Sequence, residues 1–346
     1  MASALDQGSA SSTERRSGAD AYAEQRVFAL SPLNLWLTAA LLFLILAGAY
    51  ALAALADGRA LMVRTAGEPA LERQAQIALV LILIVCAVLA LQRWSNLKEV
   101  QERPAMARVL GPDLSWSPQG PPVTGLRLMT GLGVAVSLVA NLLYLPRHGD
   151  VATYIWFTLV SALLSVLFFR GIVLTRMGSR HAAAVVRTLN IDLLRIDDLY
   201  PWGRAAARTA LIWFTVSAAT CLLFVGGGLT LYTLALLVGC AGIGVWVFVG
   251  GLSLVHHRIR EAKTAALDDV RSEIAALKAD LHRDSAAPAK LQSLLAYEAR
   301  IASAPEWPFD QTILVRLGAS AMILTVPWFG QALAGLVVEH LGKALQ

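Results

Sequence analysis

Seven stretches of this 346-residue chain, each 17 to 27 residues long, run almost without an acid or a base. They cover 35–56, 75–92, 126–145, 151–174, 209–225, 229–255 and 312–338. A hydrocarbon core about 30 Å thick takes about 20 apolar residues as a helix. Inside it, every peptide N–H and C=O has to find its partner within the chain, which leaves helices or a closed barrel. Barrel strands alternate polar and apolar residues over about ten positions. These runs are continuous, so they predict helices. The remaining composition agrees: 15% of residues are charged and 57% hydrophobic, against about 25% and 45–50% in soluble domains. A soluble enzyme, a disordered chain and a disulfide scaffold are excluded. The expected fold class is all-α, a polytopic transmembrane helix bundle of about seven spans.

Two runs need comment. Ala54-Leu55-Ala56 resembles a signal-peptidase site, but the apolar run it ends is 22 residues long and follows a polar 34-residue leader. Signal peptides have cores of about 7–15 residues, so a retained anchor helix is expected. The last run holds Arg316 near its start and Pro327 near its middle, which fits a kinked span or a re-entrant segment.

Lysine and arginine between the runs predict orientation. The N-terminal leader and the segments 93–125, 175–208 and 256–311 carry 21 of them, and the opposite set carries five. This predicts a cytoplasmic N-terminus and places Trp36, Trp94, Trp202 and Trp307 at the same interface. The net charge of +5 is thereby assigned to anionic headgroups and not to nucleic acid.

The organisation read from these patterns has four parts. Residues 1–34, rich in Ser, Ala and charge, are expected to be a disordered cytoplasmic tail. Residues 35–255 form a six-helix membrane region, with a proline-rich linker over 104–125 and an amphipathic surface helix within 179–204. In that helix Leu189, Leu193, Leu194 and Ile196 alternate with charges, and Tyr200-Pro201-Trp202 ends it. Residues 256–311 are expected to be a cytoplasmic coiled-coil-like hairpin. Residues 312–346 hold the last transmembrane or re-entrant helix and the C-terminal tail. The hairpin rests on Leu267, Val270, Ile274, Leu277 and Leu281, spaced 3,4,3,4 as a coiled-coil seam. Pro288 suits the first turn of the returning helix, which carries Leu291, Leu294, Leu295 and Ile301 before Pro305 and Pro308 stop it. Either the two seams satisfy each other, or the longer one takes another subunit or partner.

Catalytic chemistry finds little support. Cys86, Cys221 and Cys240 lie in apolar runs without a CxxC partner. No acid falls at the centre of a run, and Asp57, Asp150 and Glu339 only abut run ends, which disfavours an acidic proton relay. Arg170 and Arg316 lie near cytoplasmic ends, where long side chains snorkel to headgroups; a pore or anion site is the other reading. Asn141 and Gln331 suit interhelical hydrogen bonds. Gly131-Leu-Gly133 lacks the strand and third glycine of a dinucleotide loop. Together with Gly239, Gly242, Gly244, Gly250 and Gly251 in the sixth run and Gly330 and Ala334 in the seventh, it reads as a set of helix-packing positions. His256, His257, Glu261 and His282 are the best candidates for a metal, but HExxH is absent and Arg258 and Arg260 would repel a cation. No cofactor is expected.

Three stretches carry a resemblance: Leu189 to Arg204 (LNIDLLRIDDLYPWGR), His257 to Lys263 (HRIREAK), and Glu298-Ala-Arg300 leading into Glu306-Trp-Pro-Phe-Asp310. Over about its C-terminal half the chain resembles a group of uncharacterised bacterial polytopic inner-membrane proteins, in which an acidic Trp-Pro-Phe turn precedes the last hydrophobic helix. The resemblance implies a bacterial inner membrane and supplies no catalytic residue. The expected function is a non-enzymatic scaffold or an assembly or signalling component, acting through the hairpin on a protein partner or a second copy. The alternative is a channel or transporter for an uncharged or anionic solute.

Overall fold

The structure is a computed structural model that describes residues 26–65, 68–109, 123–143, 150–189, 191–224, 231–280 and 287–307. Eight α-helices and one two-stranded hairpin make up the described residues, apart from two short 3-10 turns. A short helix, α1 (Arg26–Leu30), precedes α2 (Leu35–Ala56). The strands β1 (Met62–Thr65) and β2 (Glu68–Leu71) follow. The remaining helices are α3 (Arg73–Val109), α4 (Val123–Leu143), α5 (Val151–Thr188), α6 (Tyr200–Cys221), α7 (Leu231–Asp280) and α8 (Ala287–Ser303).

Local chemistry sets the ends. Asn34 caps α2, its Oδ1 accepting from the Leu37 N–H at 2.9 Å, which satisfies one of the four orphan donors of a helix start. Gly58 takes φ 69° after α2, the left-handed region that glycine enters without steric cost. The chain then turns into the antiparallel hairpin, with Met62 opposite Leu71 and Thr65 opposite Glu68. Glu72 starts α3 by accepting from the Ala75 N–H at 3.2 Å.

Five helices are long and apolar enough to cross a membrane: α2, α3 over Arg73–Glu102, α4 over Thr124–Leu142, α5, and α7 over Leu237–Lys278. Their outward faces are apolar. On α2, Leu41, Leu44, Ile45 and Leu52 are exposed, as are Leu128, Leu138 and Val139 on α4. Apolar surface that extensive is at home against lipid and not in water. The chain is a helical membrane protein.

The interior is closed by two sets of contacts. Tyr50 of α2 meets Trp156 and Phe157 of α5 edge-on, with ring centroids 5.0 and 5.8 Å apart, over Ile82 and Val85 of α3. On the other side α6 packs on α3 and α7. Ser217 of α6 donates to the Leu237 carbonyl at 3.0 Å. A Cβ on Gly244 would sit 3.0 Å from the Phe214 ring.

Several expectations need correction. Five of the seven apolar runs correspond to the crossing helices. The run 209–225 lies mostly on α6, which begins at Tyr200, carries Arg204 and Arg208 in its first turns and does not reach the same apolar length. The run 312–338 lies outside the described residues. The expected linker at 104–125 is helical as far as Val109, because α3 runs straight through Pro104. The leader is not wholly irregular: α1 forms within it, and Phe28 is buried against the α2–α3 core. The surface helix over 179–204 does not form. Instead α5 continues to Thr188, a 3-10 turn covers Ile196–Leu199, and Pro201 starts α6 where it was expected to end a helix. Proline in the first turn of a helix has no hydrogen bond to lose, and sequence alone does not say which side of it the helix lies on.

Candidate functional site at the base of the helical arm

Beyond the bundle, α3, α5 and α7 extend past the end at which Met106 lies. There they bury Met106, Val185, Val186, Leu189, Ile196, Leu199, Trp202, Val255 and Ile259 together with Ala304. Of the apolar residues at 189–202 that suggested a surface helix, Leu189, Ile196, Leu199 and Trp202 are thus consumed by a protein core, while Leu194 stays exposed. Glu102 of α3 links this core to α6, accepting from Arg204 Nε and Arg208 Nη2, both at 2.7 Å.

From this base α7 continues without a break, 50 residues in all, about 75 Å at 1.5 Å per residue. The returning α8 packs against its outer half. Val270, Ile274 and Ile301 are buried between the two, flanked by Leu267, Leu291 and Leu294. Arg271 pairs with Glu298 at 2.7 Å and Lys290 with Glu273 at 3.0 Å. The seam residues Leu267, Val270 and Ile274 therefore pack against Leu291, Leu294 and Ile301 of α8. Leu277 is half-buried, and Leu281 lies outside the described residues. On the two opposite flanks of α8, beside its contact with α7, Leu295 and Tyr297 remain 48% and 43% exposed.

A latch closes the arm at its base. His256 Nδ1 lies 2.9 Å from the Glu306 carbonyl; a carbonyl only accepts, so Nδ1 carries the proton. The same imidazole stacks on Trp307, centroids 4.1 Å apart and planes 14° from parallel. Lys263 Nζ donates to the Ala304 carbonyl at 3.0 Å and to Glu306 Oε1 at 3.3 Å. Arg258 Nη2 donates to the Arg187 carbonyl in the last turn of α5 at 3.3 Å, where a cation also suits the helix dipole. Leu189, Ile196, Leu199 and Trp202 thus share one core with Ile259, and Lys263 with Glu306 and His256 with Trp307 form the latch beside it.

The other residues singled out from the sequence are dispersed. His257 Nδ1 faces the Ser253 carbonyl at 2.8 Å and Glu261 accepts from Arg258 at 3.0 Å, so these two and His256 point to three separate partners. His282 lies outside the described residues, and among the described residues no three His, Cys, Asp or Glu side chains come together as a metal would need. The three cysteines are buried and unbridged. Arg170 Nη1 donates to Thr130 at 3.3 Å; Arg316, Gln331, Gly330 and Ala334 lie outside the described residues. Asn141 Nδ2 donates to Ser161 Oγ at 2.8 Å, and Ser161 and Ser137 are 2.8 Å apart, a polar bridge between α4 and α5. Gly133 is the close-packing glycine of that pair: a Cβ there would lie 2.8 Å from Val166 Cα, whereas Gly131 faces open space. Gly239 and Gly242 also have nothing within 4 Å of a built Cβ. Within α7 the close approaches fall at Gly244, against Phe214, and at Gly251, 3.5 Å from Ala206.

At the opposite end of the bundle lies a knot that the sequence reading noted only as charges at run ends. Arg59 pairs with Asp150 and, at 3.3 Å, with Glu72. Asp57 accepts from the N–H groups of Ala152 and Thr153. The Thr153 hydroxyl bond, followed by the Thr153 N–H, holds the Asp57 carboxyl below the usual carboxylate range. The Asp150 carboxylate likewise holds the Arg59 guanidinium charged. Helix-end acids of opposite runs, with one arginine between them, were the available signal.

No family model, curated protein or solved structure matches the chain.

Proposed function

We propose that this chain is a non-enzymatic membrane scaffold, an assembly or signalling component that presents the α7–α8 arm to a protein partner on the cytoplasmic face of a bacterial inner membrane. The observation that carries the proposal is the continuity of α7 from span to arm, with α8 zipped along it and latched at its base. A helix pair of this size standing alone would be marginal; one rooted in a folded base is a stiff projection. The charge asymmetry supports the orientation, and the resemblance supports the compartment.

Because Ile274 faces α8, charging the seam would dismantle the arm and say nothing about partners. The informative positions are Leu295 and Tyr297. The full-length protein carrying Leu295→Asp and Tyr297→Asp is to be purified from native membrane, weighed, and its companions identified. The expected result is an intact chain whose native complex is smaller and has lost a component. An unchanged complex size and composition would overturn the proposal.

A row of polar groups between α4 and α5, formed by Arg170 with Thr130 and by Ser137, Ser161 and Asn141, favours a second reading as a channel or transporter for an uncharged or anionic solute. Flux of such solutes through the protein in liposomes, reduced by Asn141→Leu, is its test.

A further inference from the structure

One face of α7 is covered along part of its length and open along the rest. Val238, Val245, Val249, His256 and Lys263 follow one another at intervals of seven, four, seven and seven residues, which keeps them on one side of a helix. Leu267, Val270 and Ile274 continue that side at intervals of four, three and four. From Ile274 back to His256, residues 287–307 lie on this face. Beyond His256, Leu252 is still buried on this side, but from Val249 to Val238 it lies bare, with Val238 61%, Val245 51% and Val249 54% exposed and Trp246, 56% exposed, beside them. Beside these, Gly239 and Gly242 face open space, with nothing within 4 Å of a built Cβ at either.

The covering chain runs toward this bare stretch. Lys290 meets Glu273, and Glu306 meets Lys263 further along, so residue numbers rise on one strand of the arm as they fall on the other. Trp307, the last described residue, is stacked on His256, at the foot of the open face. The next apolar run, 312–338, has 27 residues, about 40 Å as a helix. The stretch of α7 from Leu231 to Val255 is about 37 Å long on the same rise. The run also holds small residues, Gly318-Ala-Ser-Ala321 and Gly330-x-x-x-Ala334. Small residues on both partners allow close helix contact in lipid, where no hydrophobic force draws helices together.

We propose that residues 312–338 cross the membrane antiparallel to α7 and dock on its Val238–Val249 face, held in place by the His256–Trp307 latch. The inference rests on the arm's direction and the open face and is independent of the partner reading above. The test uses the full-length protein in native membrane with a diazirine side chain, similar in size to valine, placed at Val245 and, separately, at Val249. The same group at Leu267 serves as a control, whose photo-crosslinks into residues 287–303 show that the arm has formed. Mapping by mass spectrometry is expected to find intrachain crosslinks from Val245 and Val249 to peptides within 312–338. Crosslinks that double the mass of the chain would show that a second copy covers the face. Crosslinks to lipid alone, or to another helix, would show that 312–338 does not. Each of these results would overturn the proposal.

Discussion

Asp57 and Thr153, 96 residues apart, are joined twice: the carboxylate accepts from the Thr153 hydroxyl at 2.6 Å and from its N–H at 2.7 Å. The residue that closes α2 thereby caps α5. The cap position of α5 itself belongs to Asp150, whose side chain makes no capping bond and turns to Arg59. The two acids have exchanged the expected tasks, so the first and fourth spanning helices are fastened end to end, with the β-hairpin tied in through Glu72.

This exchange predicts an acid-sensitive end of the bundle. The native Asp57 carboxyl sits below its ordinary value, about 3.9 for an aspartate, so the folded state binds that proton more weakly than the unfolded one. Its stabilisation is complete above the ordinary value and is lost as pH falls through the depressed native one. Unfolding in detergent should show Asp57→Asn less stable than the parent at pH 6. The gap should narrow steadily below about pH 4. A gap independent of pH would mean that the carboxylate charge does not act at the α5 terminus.

Gly133 and Gly131 provide a paired test of the α4–α5 contact. Placing a methyl at Gly133 forces it against the Val166 backbone, and overpacking of that kind typically costs about 1–3 kcal/mol. Gly131→Ala meets open space and should gain slightly in helix propensity. Thermal unfolding of the two variants in the same detergent should separate them in this order.

Glu102 is the acid shared by Arg204 and Arg208, whose side chains are 43% and 8% exposed. Glu102→Gln leaves Arg208 charged and enclosed, and breaking one side of a buried pair costs about 3–5 kcal/mol. Arg204→Ala removes a partner that is largely in solvent, an effect of about 0–1 kcal/mol. Denaturant unfolding of the two variants should differ by that margin. Equal losses would show that Glu102 holds both arginines alike.

The spanning helices were legible in the sequence because length and absence of charge are one-dimensional signals: 35–56 and α2 coincide to the residue. The 3,4 spacing of Leu267, Val270 and Ile274 likewise identified the inner face of the arm, although spacing alone does not distinguish α8 from another chain as its partner. What remained hidden depends on contacts distant in sequence. Ile196 and Trp202 read as a membrane-surface stripe because nothing local reveals that Met106 and Ile259 meet them. Pro104 opened the expected linker, yet α3 continues past it to Val109, with Glu102 and Met106 on either side of it in contact with other elements. The Asp57–Thr153 and Arg59–Asp150 bonds join residues more than 90 positions apart, beyond any local pattern.

Charge asymmetry predicts which end of the bundle meets the cytoplasm. Ser272 on the arm and Met62 on the β-hairpin are both exposed and lie at opposite ends. In intact cells an impermeant thiol reagent should label Met62→Cys and spare Ser272→Cys until lysis. Labelling of Ser272→Cys without lysis would reverse the orientation and remove the cytoplasmic partner from the proposed function.

The arm offers the sharpest separation between holding and displaying. Ile301 is fully enclosed and Leu295, on the same helix, is 48% exposed. Truncating an enclosed isoleucine to alanine costs about 2–5 kcal/mol, whereas an exposed position usually changes stability by about 0.5 kcal/mol or less. Hydrogen exchange of the full-length protein should therefore show Ile301→Ala speeding exchange throughout 265–280 and 287–303, with the spans unaffected. Leu295→Ala should leave exchange as in the parent. If both variants loosened the arm alike, Leu295 would be part of what holds it together, and the face available to a partner would have to lie elsewhere. If neither did, the His256–Trp307 latch and the ion pairs of the seam would be sufficient to keep α8 in place without its apolar anchor.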